Sequence, residues 1–456
     1  MLSLDDTIAA IATPLGSGGV GIVKLSGPEA RAIALRLFRP LHGPPRLKPR
    51  YLHYGEVIHP RTRQPIDEAL VAYMPAPHSY TRQDVVEIQA HGSMVALQEI
   101  LQAVLSLGAR PAEPGEMTMR AFINGRLDLT QAEAVMDIVE AKTAASLRLA
   151  TRQLGGALSK PVAAVRQKLV DVLAFLEASI DFVEDDIPPE DVIPPLQKAL
   201  AEMERLAAGA AQGIIYRQGV RTAIVGRPNV GKSSLLNALL RGERAIVTSI
   251  PGTTRDTLEE TANIGGIPLV LVDTAGIRAE AGDVVEQIGI KRSRAALAQA
   301  DLALMVVDNS QPLTDADWEI EGLVGDKPAL LVLNKIDLPQ ATPPPENFLA
   351  GRPRVPLSAL TGEGLDALEE TLIARITGGK VITADTALVS NPRHQALLQR
   401  AIEHTRTAIE AQTAGLSPDL VSVDVREAVD ALGEITGQTA TEDLLDAIFS
   451  KFCIGK

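Results

Sequence analysis

The 456-residue sequence contains a single cysteine, Cys453, so no disulfide can form within the chain. This agrees with a reducing compartment, because disulfides form and persist in oxidising ones. No run of about 18 uncharged apolar residues occurs, and the first ten residues lack the basic segment of a signal peptide. We therefore expect a cytoplasmic protein that does not associate with a membrane.

Aromatic residues and positive charge are both scarce. Phe, Trp and Tyr make up 3% of the residues, and the formal net charge is −13. Few aromatic side chains leave little material for a surface on which bases stack. The acidic balance argues against a protein that grips nucleic acid over its whole surface. Any RNA contact is expected to be local, transient, or shared with a partner, and we expect such a partner to supply much of the positive surface.

The length and the hydrophobic patterns predict several domains, because 456 residues are too many for one ordinary core. Residues 1–120 alternate short β-type runs with helical patterns, which indicates an α+β domain. An apolar period of 3.6 residues occupies 121–215 and returns in 379–456, which predicts a helical domain in two halves. Between them, 216–378 alternate strands and helices as a doubly wound, mostly parallel sheet does. The expected fold is an α/β domain inserted into a helical domain, after an α+β domain.

Two weaker patterns have alternative interpretations. The run from Gly16 to Gly21 matches the dinucleotide fingerprint Gly-x-Gly-x-x-Gly, but the strand-like Ile22-Val-Lys-Leu follows where a helix is required. A hairpin or loop is therefore favoured. The acidic run that begins at Glu184 fits either a metal site or a solvated helix end, and the helix end is favoured.

The clearest motif is a phosphate-binding loop, Gly-x-x-x-x-Gly-Lys-Ser, from Gly226 to Ser233. An apolar strand pattern precedes it and an amphipathic helix pattern follows, which is the context that such a loop needs. The glycines allow backbone N–H groups to curl around phosphate oxygens at the positive end of a helix. Lys232 and Ser233 can then serve the terminal phosphate and its magnesium.

Four further motifs follow, each at a predicted strand end or loop. They are Thr248-Ser-Ile-Pro-Gly-Thr-Thr-Arg-Asp256, Asp273-Thr-Ala-Gly276, Asn334-Lys-Ile-Asp337 and Ser358-Ala-Leu. The first aspartate of Asp273-Thr-Ala-Gly276 can hold magnesium through water, and its glycine can sense the terminal phosphate. Asp337 offers two acceptors to the N1–H and amine of guanine. The motifs together predict GTP binding by Asn229, Val230, Gly231, Lys232, Ser233, Ser234, Thr248, Ser249, Ile250, Pro251, Gly252, Thr253, Thr254, Asp273, Thr274, Ala275, Gly276, Asn334, Lys335, Asp337, Ser358, Ala359 and Leu360.

The position after Asp-Thr-Ala-Gly departs from the common pattern. In many GTPases a glutamine there orients the attacking water, whereas this chain has Ile277, which cannot form a hydrogen bond with water. Another group must therefore orient the water, and Glu286 in the following segment is the candidate. From the residues alone, an exposed carboxylate without a catalytic role is an equal alternative.

These motifs, taken with others outside the GTPase segment, resemble the tRNA modification GTPase family MnmE, also called TrmE. The resemblance rests on the phosphate loop with Asn229, the Thr-Thr-Arg-Asp loop, Gly115-Glu, the run that starts at Asn124-Gly-Arg-Leu-Asp, and the terminal Phe452-Cys-Ile-Gly-Lys456. It extends from one end of the chain to the other. It implies an N-terminal folate-binding domain that also forms a homodimer, a split helical domain, and an inserted GTPase domain.

The resemblance also implies an activity and its cofactors. With a flavoprotein partner, MnmG or GidA, such proteins install an aminomethyl or carboxymethylaminomethyl group on C5 of the wobble uridine of certain tRNAs. The one-carbon unit comes from a tetrahydrofolate derivative, either 5-formyl- or methylene-tetrahydrofolate. K⁺ beside the phosphates takes the place of an arginine finger, Mg²⁺ accompanies GTP, and the GTPase domains dimerise across the nucleotide.

Site residues follow from the resemblance at the matching positions. Glu286 would position the attacking water. Two of the folate positions depart from the family pattern: Lys24 stands where the family commonly has arginine, and Arg126 stands where it commonly has lysine. Both keep the positive charge but change the hydrogen-bond geometry, and a solvated surface charge remains an alternative for each. The implied ligands are Asn229, Thr248, Ile250 and Thr253 for K⁺, Ser233 and Thr254 for Mg²⁺, and Lys24, Glu87, Arg126 and Lys456 for folate.

Cys453 and the overall function have alternatives of their own. The terminal lysine excludes a prenylation box. The resemblance places Cys453 near the folate site as a nucleophile or a packing residue, and packing is favoured. A ribosome-assembly or signalling GTPase with flanking binding modules is the alternative function, and the terminal Phe-Cys-Ile-Gly-Lys argues against it. A folate-dependent aminomethyltransferase with an incidental nucleotide site leaves the five GTPase motifs unexplained.

Overall fold

The computed structural model describes residues 5–14, 16–181, 191–241, 260–273, 286–379 and 389–455, except the side chains of 286–292. The described residues form two compact units. The first contains those up to Met136 and those from Leu432 onward, and the second contains those from Asp137 to Ala431. The acidic run at 184–189 lies outside the described residues.

A seven-stranded sheet forms the centre of the first unit. Its order is β3-β4-β5-β6-β2-β1-β7, and every pair is antiparallel except β1 with β7. Helices α1 and α2 cover one face, and their apolar residues join those of the strands in one core. The α+β prediction is thereby confirmed. The elements are β1 (Ile8–Ile11), β2 (Gly18–Ser26), α1 (Ala30–Leu37), β3 (Phe38–Pro40), β4 (Leu52–Ile58), β5 (Pro65–Met74), β6 (Val85–Gly92), α2 (Met94–Leu105) and β7 (Arg110–Pro111).

The glycine-rich run after β1 belongs to a hairpin. β2 begins at Gly18 and pairs antiparallel with β1, so a strand stands where a dinucleotide site requires a helix. A Cβ on Gly21 would lie 2.4 Å from Cδ1 of Leu97, so only glycine lets α2 pack this closely on the strand. The hairpin prediction is confirmed.

Helices dominate the segments on either side of the GTPase motifs. They are α3 (Glu116–Ile123), α4 (Leu129–Glu140), α5 (Ala144–Leu154), α6 (Ser159–Asp181), α7 (Ile193–Ala207), α8 (Ala210–Gln218), and later α13 (Pro392–Thr413), α14 (Pro418–Thr436) and α15 (Glu442–Phe449). The predicted apolar stripe on α6 is buried, from Val162 to Leu176. The apolar period over Pro195 to about Gly209 predicts a helix there, and α7 begins and ends two residues earlier than that stretch. Among the helices of the described residues, none combines the length and apolar composition needed to cross a membrane.

A six-stranded sheet carries the GTPase motifs in the second unit. Its order is β13-β12-β11-β8-β10-β9, and all pairs are parallel except β10 with β9. Apolar clusters lie on both faces, as a doubly wound sheet requires, and the predicted fold is confirmed. The elements are β8 (Val220–Val225), α9 (Lys232–Arg241), β9 (Glu260–Ile264), β10 (Ile267–Val272), α10 (Glu286–Gln299), β11 (Leu302–Asp308), α11 (Asp315–Val324), β12 (Ala329–Asn334), β13 (Arg354–Leu357) and α12 (Leu365–Thr377).

Candidate functional sites

The phosphate loop joins β8 to α9 at the carboxyl edge of the parallel sheet, where ligands bind in open α/β folds. Gly226 and Gly231 have φ values of 153° and 100°. A Cβ at Gly226 would lie 2.3 Å from the carbonyl oxygen of Val306, and one at Gly231 would lie 2.1 Å from Nδ2 of Asn334. Both motif glycines are therefore required by close packing as well as by backbone conformation.

Lys232 is buried inside the loop. Its Nζ donates to the carbonyl oxygens of Gly226 and Arg227, both at 2.7 Å. The ammonium group is thus held at the centre of the ring of backbone that the motif forms. A phosphate oxygen carries full negative charge and forms a stronger charge-assisted bond than a carbonyl does. This arrangement suits a lysine that serves a nucleotide phosphate.

Asn334 connects the phosphate loop to the loop predicted to bind the base. Its Nδ2 donates to the carbonyl of Val230 at 2.8 Å, and its Oδ1 accepts from the N–H of Ala359 at 3.0 Å. Ser358 Oγ donates to Oδ1 of Asp337 at 2.5 Å and orients that carboxylate. The structure therefore brings together the three motifs that the sequence placed at separate strand ends.

Asp308, at the end of β11, lies within the candidate site, and the sequence analysis did not identify it. Lys335 donates from Nζ to Oδ2 of Asp308 at 2.6 Å and to the carbonyl of Asn229 at 2.9 Å. Burial alone would raise the pKa of Asp308, but hydrogen bonds from Lys335 and Ser310 outweigh it and hold the pKa below its usual value. The available signal was an aspartate directly after a buried strand, as at Asp273.

Other predicted GTP-site residues occupy the same edge of the sheet. Asn229 is exposed, with a left-handed φ of 63° that leaves its side chain open to solvent. Asp273 follows β10, and Leu360 is 81% exposed. Ser233 and Ser234 lie in the first turn of α9. Residues 248–254 and 274–277, the side chain of Glu286, and Lys456 lie outside the described part of the chain.

Three of the four residues predicted to bind folate lie together in the first unit: Lys24 and Arg126 lie near the ring of Tyr80, and Glu87 pairs with Lys24. Lys24 and Glu87 face each other across β2 and β6, with Nζ and Oε1 at 3.3 Å. The Nζ of Lys24 lies 5.7 Å from the centre of the Tyr80 ring, and the Arg126 guanidinium lies 4.6 Å from it. Two cations therefore share an aromatic residue that the sequence analysis did not identify, and one of them also pairs with the Glu87 carboxylate.

The loop that carries Tyr80 is tightly held. The Tyr80 hydroxyl and Thr118 Oγ1 are 2.9 Å apart, and burial raises the pKa of the phenol. Thr81 Oγ1 lies 2.6 Å from Ser26 Oγ, and its carbonyl accepts from Nδ2 of Asn124 at 2.7 Å. Tyr80 is thus pre-positioned rather than free to rotate. An aromatic residue inside a polar loop was the only signal for it in the sequence.

A buried ionic network around Arg120 adjoins this loop and bonds to it through Gln83. Arg120 donates to Glu116 at 2.9 Å, to Gln83 at 3.1 Å and to both the carbonyl and the carboxylate of Asp6, at 2.9 and 2.5 Å. Arg110 also donates to Glu116, at 2.7 Å. Burial would raise the pKa of Glu116, but the two arginines and a backbone N–H hold it below its ordinary value.

The C-terminal residues of the described chain lie beside the β1–β2 hairpin. Ile454 forms an antiparallel bridge with Pro114. A Cβ on Gly455 would lie 2.7 Å from the carbonyl oxygen of Ile11, so the chain passes very close to β1. Ala10 on β1 pairs with Lys24. Cys453 is partly buried and accepts a hydrogen bond from the N–H of Gly115 through its carbonyl.

The doubly wound sheet, the phosphate loop and the linked guanine motifs define a P-loop GTPase domain. Two family models match most of the chain: "GTP-binding protein TrmE N-terminus" over residues 7–126 and "MnmE helical domain" over 129–453. The chain belongs to the MnmE family of tRNA modification GTPases.

Relatives align along almost the whole chain. The tRNA modification GTPase MnmE of Chloroflexus aurantiacus is 54% identical over 99% of this chain and 100% of its own. The MnmE of a Roseiflexus species is 52% identical, with 99% of each chain covered. The solved G domain of the T. maritima FeoB iron transporter is 27% identical over 34% of this chain and 98% of its own, with a TM-score of 0.25.

Proposed function

We propose that this protein hydrolyses GTP to drive the modification of C5 of the tRNA wobble uridine. It acts as a homodimer with a flavoprotein of the MnmG or GidA type in the cytoplasm. The group installed is aminomethyl or carboxymethylaminomethyl, and its carbon comes from a tetrahydrofolate derivative. The proposed division of labour assigns residues 1–120 to folate and dimerisation, 216–378 to GTP, and 121–215 with 379–456 to a helical scaffold.

The observation that carries the GTPase part is the bonded connection between the phosphate loop and the base-recognition motifs. The side-chain amide of Asn334 donates a hydrogen bond to the carbonyl of Val230 and accepts one from the N–H of Ala359. Lys335 adds a bond to the carbonyl of Asn229. An incidental nucleotide site has no need of this connection, whereas a guanine-specific switch must align base and phosphates together.

The residues around the phosphate loop suit the two cations. Ser233 with Thr254 would hold Mg²⁺, and the exposed side chain of Asn229 would contribute to K⁺ together with Thr248, Ile250 and Thr253. Cations at these places would offset negative charge on the phosphates as the bond to the leaving group breaks. Ile277 provides no hydrogen bond, so Glu286 would orient the attacking water.

The choice of monovalent cation is open to a direct test. GTP turnover is expected to be several times faster in KCl than in NaCl at equal ionic strength. Equal rates in the two salts would remove K⁺ from the proposal without affecting the other assignments. Glu286→Ala should abolish most turnover and leave GTP affinity intact, whereas unchanged turnover would assign the water to another group.

The folate part is supported by the cluster around Tyr80. A reduced folate combines an aromatic pterin, which presents amine N–H groups, with an anionic glutamate tail. Tyr80 offers a ring, Glu87 offers a carboxylate acceptor, and Lys24 and Arg126 offer positive charge within one site. Lys456 would add a further cation, since the described chain reaches the neighbouring hairpin at Gly455.

The homodimer is supported by the open face of the seven-stranded sheet. Helices α1 and α2 cover one face, and on β4 and β5 the other face exposes Leu52, Tyr54 and Leu70. Tyr54 and Leu70 are cross-strand neighbours, and Leu52 lies in the same row of the sheet as Ala72, Glu87 and Lys24. The apolar patch is therefore continuous with the proposed folate site, and exposed apolar faces of this kind are typical of interfaces.

One experiment decides between this function and a ribosome-assembly GTPase. Mass spectrometry of wobble uridines should find the C5 modification missing in a strain that lacks the gene, and restored when the gene is returned. A phosphate-loop variant, Lys232→Ala, should fail to restore it. Normal wobble modification in the deletion strain would favour the assembly alternative.

A further inference from the structure

Positive charge is concentrated in one part of this acidic chain. Residues 30–64, the basic segment, contain eight Lys and Arg and only one acidic residue, Glu56. The segment therefore carries a formal charge of +7, whereas the whole chain carries −13 and the remainder −20. A separation of this size is not expected from an even distribution of surface charge.

The basic segment forms one edge of the seven-stranded sheet. It comprises α1, the outermost strand β3, and β4 with the connections on both of its ends. The loop 41–51 joins β3 to β4, and the turn 59–64 joins β4 to β5. Because β4 has seven residues, the two connections are separated by about 23 Å, at roughly 3.3 Å per residue.

The charges in the two connections are free to meet a ligand. Arg46, Lys48 and Arg50 in the loop, and Arg61 and Arg63 in the turn, are all exposed. Within the described residues none of the five forms an ion pair. The carboxylate of the segment, Glu56, is paired with Arg39 on β3 instead.

Two of these arginines occupy an unusual backbone conformation. Arg50 and Arg63 each have φ of 62°, in the left-handed region that glycine and asparagine adopt at lower cost. Hydrogen bonds from their N–H groups to the carbonyls of Tyr73, at 2.8 Å, and His59, at 3.0 Å, hold them there. Each end of β4 therefore has a long charged residue in a strained conformation, which indicates that the side chain has a functional role.

An exposed aromatic residue accompanies the charges. Tyr51 is 63% exposed, and the ammonium of Lys48 lies 5.7 Å from the centre of its ring. Arginine forks match phosphate geometry, and an exposed ring beside them can stack on an unpaired base. This is the combination that single-stranded or looped RNA requires, and few such rings exist in a chain with 3% aromatic residues.

We propose that the two connections of the basic segment, the loop 41–51 and the turn 59–64, form the surface on which this protein binds RNA, with phosphates held by their arginines and a base stacked on Tyr51. The inference rests on the proposed function, which brings a tRNA to this protein. The negative charge of the remaining chain would repel RNA elsewhere and so confine binding to this edge. An anionic membrane or an acidic protein is the alternative ligand, and the test includes both.

The test uses the full-length protein and the double variant Arg50→Asn with Arg63→Asn. Asparagine accepts the left-handed backbone, so the variant should fold as well as the parent. We expect the affinity for unmodified tRNA transcripts, measured by fluorescence anisotropy between 50 and 300 mM KCl, to fall about tenfold, and the salt slope to decrease by about 1 to 2. Tyr51→Ala should lower affinity several-fold and leave the slope unchanged.

The matched control removes two positive charges elsewhere. The control variant carries Arg205→Gln and Arg375→Gln, at exposed positions of α7 and α12. Its tRNA affinity and the salt dependence of that affinity should equal those of the parent. Equal losses in the control, or no loss in the Arg50 and Arg63 variant, would overturn the proposal. Preferential binding to phosphatidylserine vesicles or to polyglutamate over tRNA would overturn it in favour of a membrane or a protein partner.

GTP turnover separates this inference from the proposed function. It is measured on the same preparations and should not differ between the parent and the Arg50 and Arg63 variant. A parent protein that neither hydrolyses GTP nor restores wobble modification would contradict the proposed function whatever its RNA affinity. A parent that does both, with tRNA affinity unaffected by the variant, would contradict the RNA surface alone.

Discussion

At the scale of single residues, Asp308 links base recognition to the proposed potassium ligand. It accepts from Lys335, which in turn donates to the carbonyl of Asn229. Asn229 has a left-handed backbone, so its orientation depends on such contacts. The negative charge of Asp308 therefore positions Lys335, and through it the phosphate loop.

Asp308→Asn should weaken GTP and GDP binding about tenfold, because a hydrogen bond to a charged group is worth about 1.5–3 kcal/mol. A fluorescent guanine nucleotide titrated by anisotropy measures the change. Asp301→Asn makes the same substitution at the opposite end of the strand, where Asp301 accepts from the N–H of Arg221, and should leave affinity unchanged. Equal affinities for Asp308→Asn and the parent would show that Lys335 needs no anionic partner.

Tyr80 should act through its ring more than through its hydroxyl. Tyr80→Ala removes the surface that Lys24 and Arg126 pack against, and we expect folate affinity to fall at least tenfold, since an aromatic or cation–π contact contributes about 1 kcal/mol and its burial adds more. Tyr80→Phe loses only the bond to Thr118 and should change affinity less than about threefold. Calorimetric titration with 5-formyl-tetrahydrofolate distinguishes the two. Equal losses in both variants would assign the role to the hydroxyl.

The buried network around Arg120 predicts a pH dependence. Glu116 and Asp6 have lowered pKa values, so their ionised forms stabilise the fold above about pH 4.5, and that stability is lost as the pH falls below it. Arg120→Met should cost about 3 kcal/mol at pH 7 and less at pH 4, because the carboxyls are protonated more readily there in the unfolded chain and in the variant, which lacks the arginine that keeps them ionised.

Urea unfolding followed by circular dichroism at pH 7 and pH 4 measures this effect. Arg39→Met is the control, because the Arg39 side chain is 61% exposed and its pair with Glu56 contributes less than about 1 kcal/mol. A loss for Arg120→Met that is the same at both pH values would mean that the side chain contributes packing alone.

At the scale of elements, the turn between β9 and β10 contacts the start of α5 within the second unit. Thr143 caps α5 by accepting from the N–H of Ser146 at 3.1 Å, and it donates to the carbonyl of Gly266 at 2.9 Å. In the sequence, β9 follows the predicted nucleotide-binding residues 248–254, and β10 ends directly before Asp273. One hydroxyl therefore joins the helical segment to the β9–β10 hairpin.

Thr143→Val keeps the shape of the side chain and removes both bonds. It should destabilise the second unit by about 1–2 kcal/mol, the usual cost of a lost helix cap, and Thr143→Ser should retain most of the stability. The fluorescence of Trp318, the single tryptophan, packed edge-on against Phe348 in this unit, reports its urea unfolding. Coincident unfolding curves for the valine and serine variants would show that the hydroxyl is dispensable.

Element types were predictable because burial imposes a period on the sequence. The apolar stripe of α6 and the mostly apolar strands β10, β11 and β12 follow this period. Helix limits were less well predicted. The 127–180 region is three helices. α5 begins at the capping box in which Thr143 and Ser146 satisfy its first N–H groups, a side-chain signal that hydrophobic period does not contain.

At the scale of the whole molecule, the open face of the first sheet predicts self-association. Leu70→Glu places a charge in the exposed row beside Tyr54 and should raise the dimer dissociation constant at least tenfold, because a charge buried at an interface without a partner is costly. Val95→Glu is the control on α2, where Val95 is 70% exposed on the helix that covers the opposite face. Sedimentation velocity compares them, and identical behaviour of both variants would place the interface elsewhere.

The sequence by itself determined the class of the protein, since the phosphate loop, the guanine motif and the C-terminal Phe-Cys-Ile-Gly-Lys are local strings whose spacing is set by one turn or one strand end. It also determined the two sheets and the split helical segments, because hydrophobic period is a local property. Only the tertiary structure decided which side chains meet. Asp308 and Lys335 are 27 residues apart, and Tyr80 and Arg126 are 46 apart. Such contacts depend on strand register and loop packing, which no short stretch of sequence encodes.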